Sequence, residues 1–194
     1  MAGSGSGTYE VQTAWIWARQ ELRVWLAAAL TQAKRTKESM WSYFSVASAV
    51  DVALQVQAGA EARLFVVAVN QVGLAAALVG KLAQDVVPPK ADDVRRLVAS
   101  FEAECPGIRK LRNVVAHHDE YILGVGREQR GSIPELSYIF GTHQFGIAYA
   151  EGEPPLTLEI DSIATAMVKL GNGIEGLLGS QSGARAAEDR PAMS

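Results

Sequence analysis

Apolar positions recur at steps of three and four along most of this chain, and at steps of two in one late segment. From about Thr8 to Lys34, Trp15, Ala18, Leu22, Trp25, Ala29 and Ala33 form one stripe that Leu26 and Leu30 widen, which predicts a long amphipathic helix. Trp17 and Val24, seven residues apart, fall on a different face. They suit either a second contact, such as a subunit interface, or a partly exposed Trp under a loop. Between Val46 and Val56 the valines alternate with small or polar residues as a strand would. No turn signal separates them from Trp41, Tyr43 and Phe44, and Gly59 suits a helix C-terminus, so a second helix is expected there. A third follows from Glu61 to Gln84, stopped by Pro88-Pro89, and a fourth starts near Asp92 or Asp93 with Val94, Leu97, Val98 and Phe101 inward. After Pro106-Gly107, a fifth is expected from about Ile108 to His118.

Beyond Tyr121 the glycines at 124, 126 and 131 and Pro134 break regular structure. Period-two segments then appear: Leu136-Tyr138-Phe140, Phe145-Ile147-Tyr149 and Leu156-Leu158-Ile160, the pattern of a small antiparallel meander. Asp161 is placed to cap a last helix with Ile163, Met167, Leu170, Ile174 and Leu177 on one face. Glycines at 171, 173 and 176 weaken that helix by ~1 kcal/mol each relative to Ala. The expected fold is mainly α: a helical bundle of about five to six helices, with a small antiparallel β-meander before the last helix. Residues 1–7 read as a flexible lead, 8–178 as one domain with strands at about 136–160, and 179–194 as a disordered Gly/Ser/Ala-rich tail.

Composition narrows the function classes. With 48% hydrophobic and 20% charged residues in 194, the chain can bury an ordinary globular core. Its net charge of −3 gives no global attraction to nucleic acid, so any RNA contact needs a local basic patch. Cys105 is the only cysteine, which excludes an intrachain disulfide and a thiolate metal cluster and fits a cytoplasmic setting. The Gly/Ser start lacks the basic and apolar regions of an export signal. The most apolar window, Leu64 to Leu82, is interrupted by Asn70, Gln71 and Lys81, so a buried core helix is expected rather than a membrane span.

Reactive chemistry concentrates in Leu111-Arg-Asn-Val-Val-Ala-His117. On an ideal helix, Ile108, Leu111 and Val115 share an apolar face flanked by Val114 and His118, while Arg109, Lys110, Arg112, Asn113 and His117 fan across the other side. Such a helix has the groups to hold a phosphate and move a proton. The pattern Arg112-Asn113-x-x-x-His117 resembles the Arg-x4-6-His signature of the HEPN family, helical-bundle proteins that include many bacterial ribonuclease toxins. The resemblance implies a metal-independent endoribonuclease, using no cofactor, in which the ribose 2'-hydroxyl attacks the adjacent phosphate and leaves a 2',3'-cyclic phosphate. His117 would then be the acid/base group and Arg112 the phosphate ligand. Asn113 would orient the imidazole or reach a phosphate oxygen. Arg112 and His117 lie about 140° apart on an ideal helix. The resemblance also implies a homodimer whose two motifs face one cleft, an RNA substrate and, for a toxin, an antitoxin protein partner.

Arg127 and Arg130 are candidates, with Arg109 and Lys110, for tracking the RNA backbone. Where family toxins that pair with a nucleotidyltransferase carry Tyr two residues after the His, this chain has Asp119. Asp119 and Glu120 bring negative charge beside His117. A metal at His117, His118, Asp119 and Glu120 is disfavoured because adjacent residues diverge on a helix and no second Glu-x-x-His exists. His118 reads as a core residue, and His143, in a hairpin turn, has no assigned role. Gly124-Val-Gly126 lacks the remaining glycine and the lysine of a nucleotide fingerprint. From a different class, a noncatalytic nucleotide- or protein-binding module would use the same basic helix face to dock an anionic partner.

Overall fold

The computed structural model describes residues 6–45, 51–117, 137–141, 143–148 and 155–179. Among them, α1 spans Ser6–Ser45, α2 Val52–Val86, α3 Ala91–Glu104, α4 Ile108–Ala116 and α5 Ile160–Gly179. The strands are β1 (Ser137–Phe140), β2 (Gln144–Ala148) and β3 (Leu156–Glu159). The architecture is the expected one, mainly helical with a small antiparallel meander ahead of the last helix.

Two boundaries differ from the sequence reading. α1 continues past Lys34 to Ser45, and no separate helix ends at Gly59, because α2 runs through it. The break that does start α2 is set by Asp51. Its extended backbone turns the chain, and its carboxylate accepts from the Ala53 and Leu54 amides at 2.9 and 3.2 Å, satisfying donors that a helix start leaves open. A single glycine in mid-helix costs only about 1 kcal/mol, which packing overrides. α1 also begins at Ser6, inside the expected lead. The expected 179–194 tail, apart from Gly179 at the end of α5, lies outside the described residues.

α1 buries Trp15, Ala18, Leu22, Leu26, Ala29 and Ala33, the stripe read from the sequence, while Trp17 and Val24 stay exposed. α2 is long and apolar enough to cross a membrane by length and composition alone. Within the bundle it is the core helix, with Phe65, Val66, Val69, Val72, Ala76 and Val79 fully buried against its neighbours. α1 packs on α2 and α5, and α3 packs on those same two helices, which closes a four-helix ring; α4 lies against α2. A 3-10 turn, Pro88–Lys90, joins α2 to α3, and Lys90 donates to the Leu177 carbonyl near the C-terminus of α5, where a cation complements the helix dipole.

α5 starts at Ile160, one residue before the expected cap, so Asp161 sits in the first turn instead. Its glycines have a packing use. A Cβ at Gly171 would come 3.1 Å from Leu26 Cδ1 and one at Gly173 2.8 Å from Leu97, so α5 nests close to both α1 and α3. The sheet order is β1-β2-β3, with Phe140 opposite Phe145 and Phe145 opposite Leu158. Phe145, Ile147 and Leu158 turn into the core, as the period-two pattern requires.

Candidate active site at the end of α4

The segment that carries Arg112, Asn113 and His117 is positioned by a sharp turn. α3 ends at Glu104, and Gly107 takes a left-handed conformation (φ 75°), which glycine adopts without a Cβ penalty. Its carbonyl then accepts from Leu111 N at 2.9 Å to start α4. Leu111 and Val114 are fully buried, with Ile108 and Val115 packed beside them. This amphipathic anchoring fixes the opposite, polar side toward solvent.

α4 stops at Ala116, short of the expected His118. His117 is the residue after it, with non-helical φ −113° and ψ 35°, and its amide donates to Asn113 O at 3.0 Å. The imidazole therefore leaves from the helix end and not from its side, so the 140° separation expected of an ideal helix does not govern the Arg112–His117 pair. His117 is solvent-exposed. Arg112 Nη1 donates to Asn113 Oδ1 at 3.3 Å, so the contact seen for the Asn113 side-chain oxygen steadies the guanidinium. The remaining amide hydrogens of Asn113 are not used in that bond.

α4 carries Arg109, Lys110 and Arg112 and no carboxylate. That makes a local basic patch on a chain whose net charge is −3. Cations near a helix N-terminus oppose its dipole, and Glu102 of α3 offsets this in part by pairing with Arg109 Nη2 at 3.5 Å. Arg127 and Arg130, together with His118, Asp119, Glu120 and Tyr121, lie outside the described residues. Of the sequence-derived residues, Arg109, Lys110, Arg112 and Asn113 lie on α4 and His117 directly after it, with Arg112 and Asn113 in contact. Among the described residues, no three His, Cys, Asp or Glu side chains group so as to hold a metal ion.

Other polar clusters escape the sequence reading. His143, given no role there, places Nδ1 2.7 Å from Asp161 Oδ2, while Lys37 Nζ lies 2.6 Å from Asp161 Oδ1. The His143 carbonyl also accepts from Ile160 N at 2.9 Å, which ties the β1–β2 turn to the start of α5. The lysine's hydrogen bond, with the imidazole's added, holds the Asp161 carboxyl below its ordinary range. On α5, Glu175 accepts from Arg23 Nε and Nη2 at 3.1 and 2.7 Å and from Arg19 Nη2 at 3.0 Å, and the Arg23 bond chiefly lowers its pKa. These are contacts between distant segments, with no local signal. Asn70 is different: a polar residue in the most apolar stretch of the chain, it is 8% exposed and lines a cleft formed with α3 and the start of α4.

No protein-family model, no curated protein and no solved structure matches this chain.

Proposed function

We propose that this protein is a metal-independent endoribonuclease of HEPN type, working in the cytoplasm as a homodimer and leaving 2',3'-cyclic phosphate ends. The observation that carries the reading is the solvent-facing end of α4, where Arg112 donates to Asn113 and His117 stands just past the last turn, outside the helical repeat. In the proposed step the 2'-oxygen bonds to phosphorus as His117 takes its proton. The 5'-oxygen leaves with a proton from the second protomer's imidazole or from water. Arg112 supports the crowded anionic phosphorane with two donors of its planar fork, and Arg109 and Lys110 draw the backbone in.

An outer face of α1 supports the homodimer. Tyr9, Ile16, Trp17 and Val24 are all exposed, and Thr13, Gln20 and Ala27 between them bring no charge. An uncharged, partly aromatic stripe of this kind is the composition found at the centre of subunit interfaces. If the protein is a toxin, an antitoxin that silenced it would have to cover the end of α4.

The deciding experiment is cleavage of a mixed RNA pool in EDTA by the wild type and His117→Ala, with the new 3' ends analysed chemically. Cyclic-phosphate ends that vanish in the variant are expected. RNA affinity that falls with salt and survives His117→Ala, without cleavage, would replace the enzyme by a noncatalytic binding module.

A further inference from the structure

The cleft that Asn70 lines lies between α2, α3 and the start of α4 and has a volume of about 260 Å³. Asn70 and Leu74 rise from α2 one turn apart, Phe101 comes from α3, and Ile108 and Arg109 come from α4. Gly73 keeps the wall open, since its position is bare of a side chain and a Cβ there would already reach van der Waals contact with Phe101 at 3.8 Å. Cys105 closes the floor as a neutral thiol, because burial pushes its pKa up to about 12, so it offers no thiolate for covalent chemistry.

Asn70 is more than nine-tenths buried, yet among the described residues nothing hydrogen-bonds its amide. Among the described residues its amide is not one of the fully enclosed unpaired groups, so it opens onto the cleft and offers its donor and acceptor there. An amide presents a donor and an acceptor side by side, which complements an edge that presents an acceptor and a donor side by side. Leu74, Phe101, Pro106 and Ile108 give the cleft apolar walls suited to the faces of a flat heterocycle, and Glu102 adds one carboxylate to the lining. At the mouth stands Arg109, 72% exposed on its side chain and paired at 3.5 Å with Glu102 of the same lining; the other donors of its guanidinium can meet an anion. Arg109 is also one helical turn before Asn113, the residue that steadies Arg112. A cavity at the small end of ligand pockets takes one base, not a folded oligonucleotide.

We infer that this cleft is a nucleobase-binding subsite, in which Asn70 reads the edge of a single base and Arg109 meets the phosphate attached to it. As an RNA subsite it rests on the ribonuclease reading, placing one nucleotide beside the Arg112–His117 end of α4. As a mononucleotide site it stands alone.

The test is titration of the full chain with AMP, GMP, CMP and UMP by calorimetry, in parallel with the EDTA cleavage assay. Binding of at least one mononucleotide is expected, weakened about tenfold or more by Asn70→Leu, which removes the reading amide at similar size. Thermal melting of that variant should match the wild type, since the lost amide had no partner to forfeit. Should Asn70→Leu fail to fold, Leu74→Glu at the half-exposed rim provides the same readout by repelling the phosphate. No binding of any of the four, or unchanged affinity in the folded Asn70→Leu variant, overturns the subsite. Cleavage without mononucleotide binding sinks the subsite and leaves the ribonuclease. Binding that Asn70→Leu abolishes, in a wild type that cleaves nothing, supports the subsite as a mononucleotide site and sinks the ribonuclease.

Discussion

Gly146 and Thr157 face each other across β2 and β3 so closely that a Cβ at position 146 would lie 2.8 Å from Thr157 Cγ2 and 2.9 Å from the Leu156 backbone oxygen. The threonine methyl can rotate away, but the carbonyl belongs to the strand ladder and cannot. Gly146→Ala is therefore expected to cost about 1–3 kcal/mol through strain in the middle strand. Gly176 is the control. A Cβ there meets nothing within 4 Å, so Gly176→Ala should gain up to ~1 kcal/mol from helix propensity alone. Paired thermal melts would check both, and equal, small shifts in the two variants would show that the sheet tolerates the added carbon.

Acid should loosen the α1–α5 contact through Glu175. Its folded-state pKa lies below the ordinary 4.5, chiefly because of the Arg23 hydrogen bonds, with Arg19 adding to them. A depressed carboxylate pKa stabilises the fold fully above the ordinary value, and that stabilisation is lost as pH falls through the depressed one. Because the side chain is 42% exposed, solvent screening limits the effect to about 0.5–1 kcal/mol. Urea denaturation at pH 7 and pH 3 should show a loss on acidification that is smaller in Glu175→Gln than in the wild type. An identical acid loss in both would assign the effect to other carboxylates.

Cys105 should be inert while the protein is folded. It is 2% exposed, and burial first, then the neighbouring Glu104 charge, hold its thiol protonated up to about pH 12. At pH 8 the folded thiol should resist iodoacetamide, and labelling should follow global unfolding in denaturant. The same raised pKa means that stability is undiminished below the unfolded value of 9.0 and declines as pH rises above it. Rapid labelling of the native protein at pH 8 would contradict the burial.

The bundle was legible because burial has a period. Trp15, Ala18, Leu22 and Ala29 on α1, and Phe145, Ile147 and Leu158 in the sheet, are where a repeat of 3.6 or 2 puts them. The α1–α2 boundary was harder, since Gly59 carries the local signal of a helix end while Asp51 is the residue that caps one. A glycine acts as a stop only where the chain needs a left-handed turn, as at Gly107, and that need comes from tertiary packing. Likewise Gly173 reads as a weak helix position until Leu97 is seen against it. At the site, the residue types on α4 could be read directly, but His117's departure from the helix and the grip of Asn113 on Arg112 are set at a helix end, where periodicity gives no direction.

That grip makes a kinetic forecast possible. Arg112→Lys keeps the positive charge but replaces a planar fork by a single ammonium that Asn113 cannot orient in the same way. If two donors of Arg112 meet the phosphorane, kcat for RNA cleavage should fall by about 10²-fold, the usual loss when one transition-state donor goes, while KM changes little. Asn113→Ala leaves Arg112 intact but removes its brace at 3.3 Å, so it should lower kcat by a smaller factor and leave Tm near the wild-type value, because the bond is exposed. Asn113→Asp restores an acceptor for Arg112 and adds a negative charge beside the proposed phosphate site, which should raise KM and make it less dependent on salt. A brace without catalytic consequence would instead leave kcat and KM of Asn113→Ala unchanged, and then Arg112 would need no positioning from its neighbour.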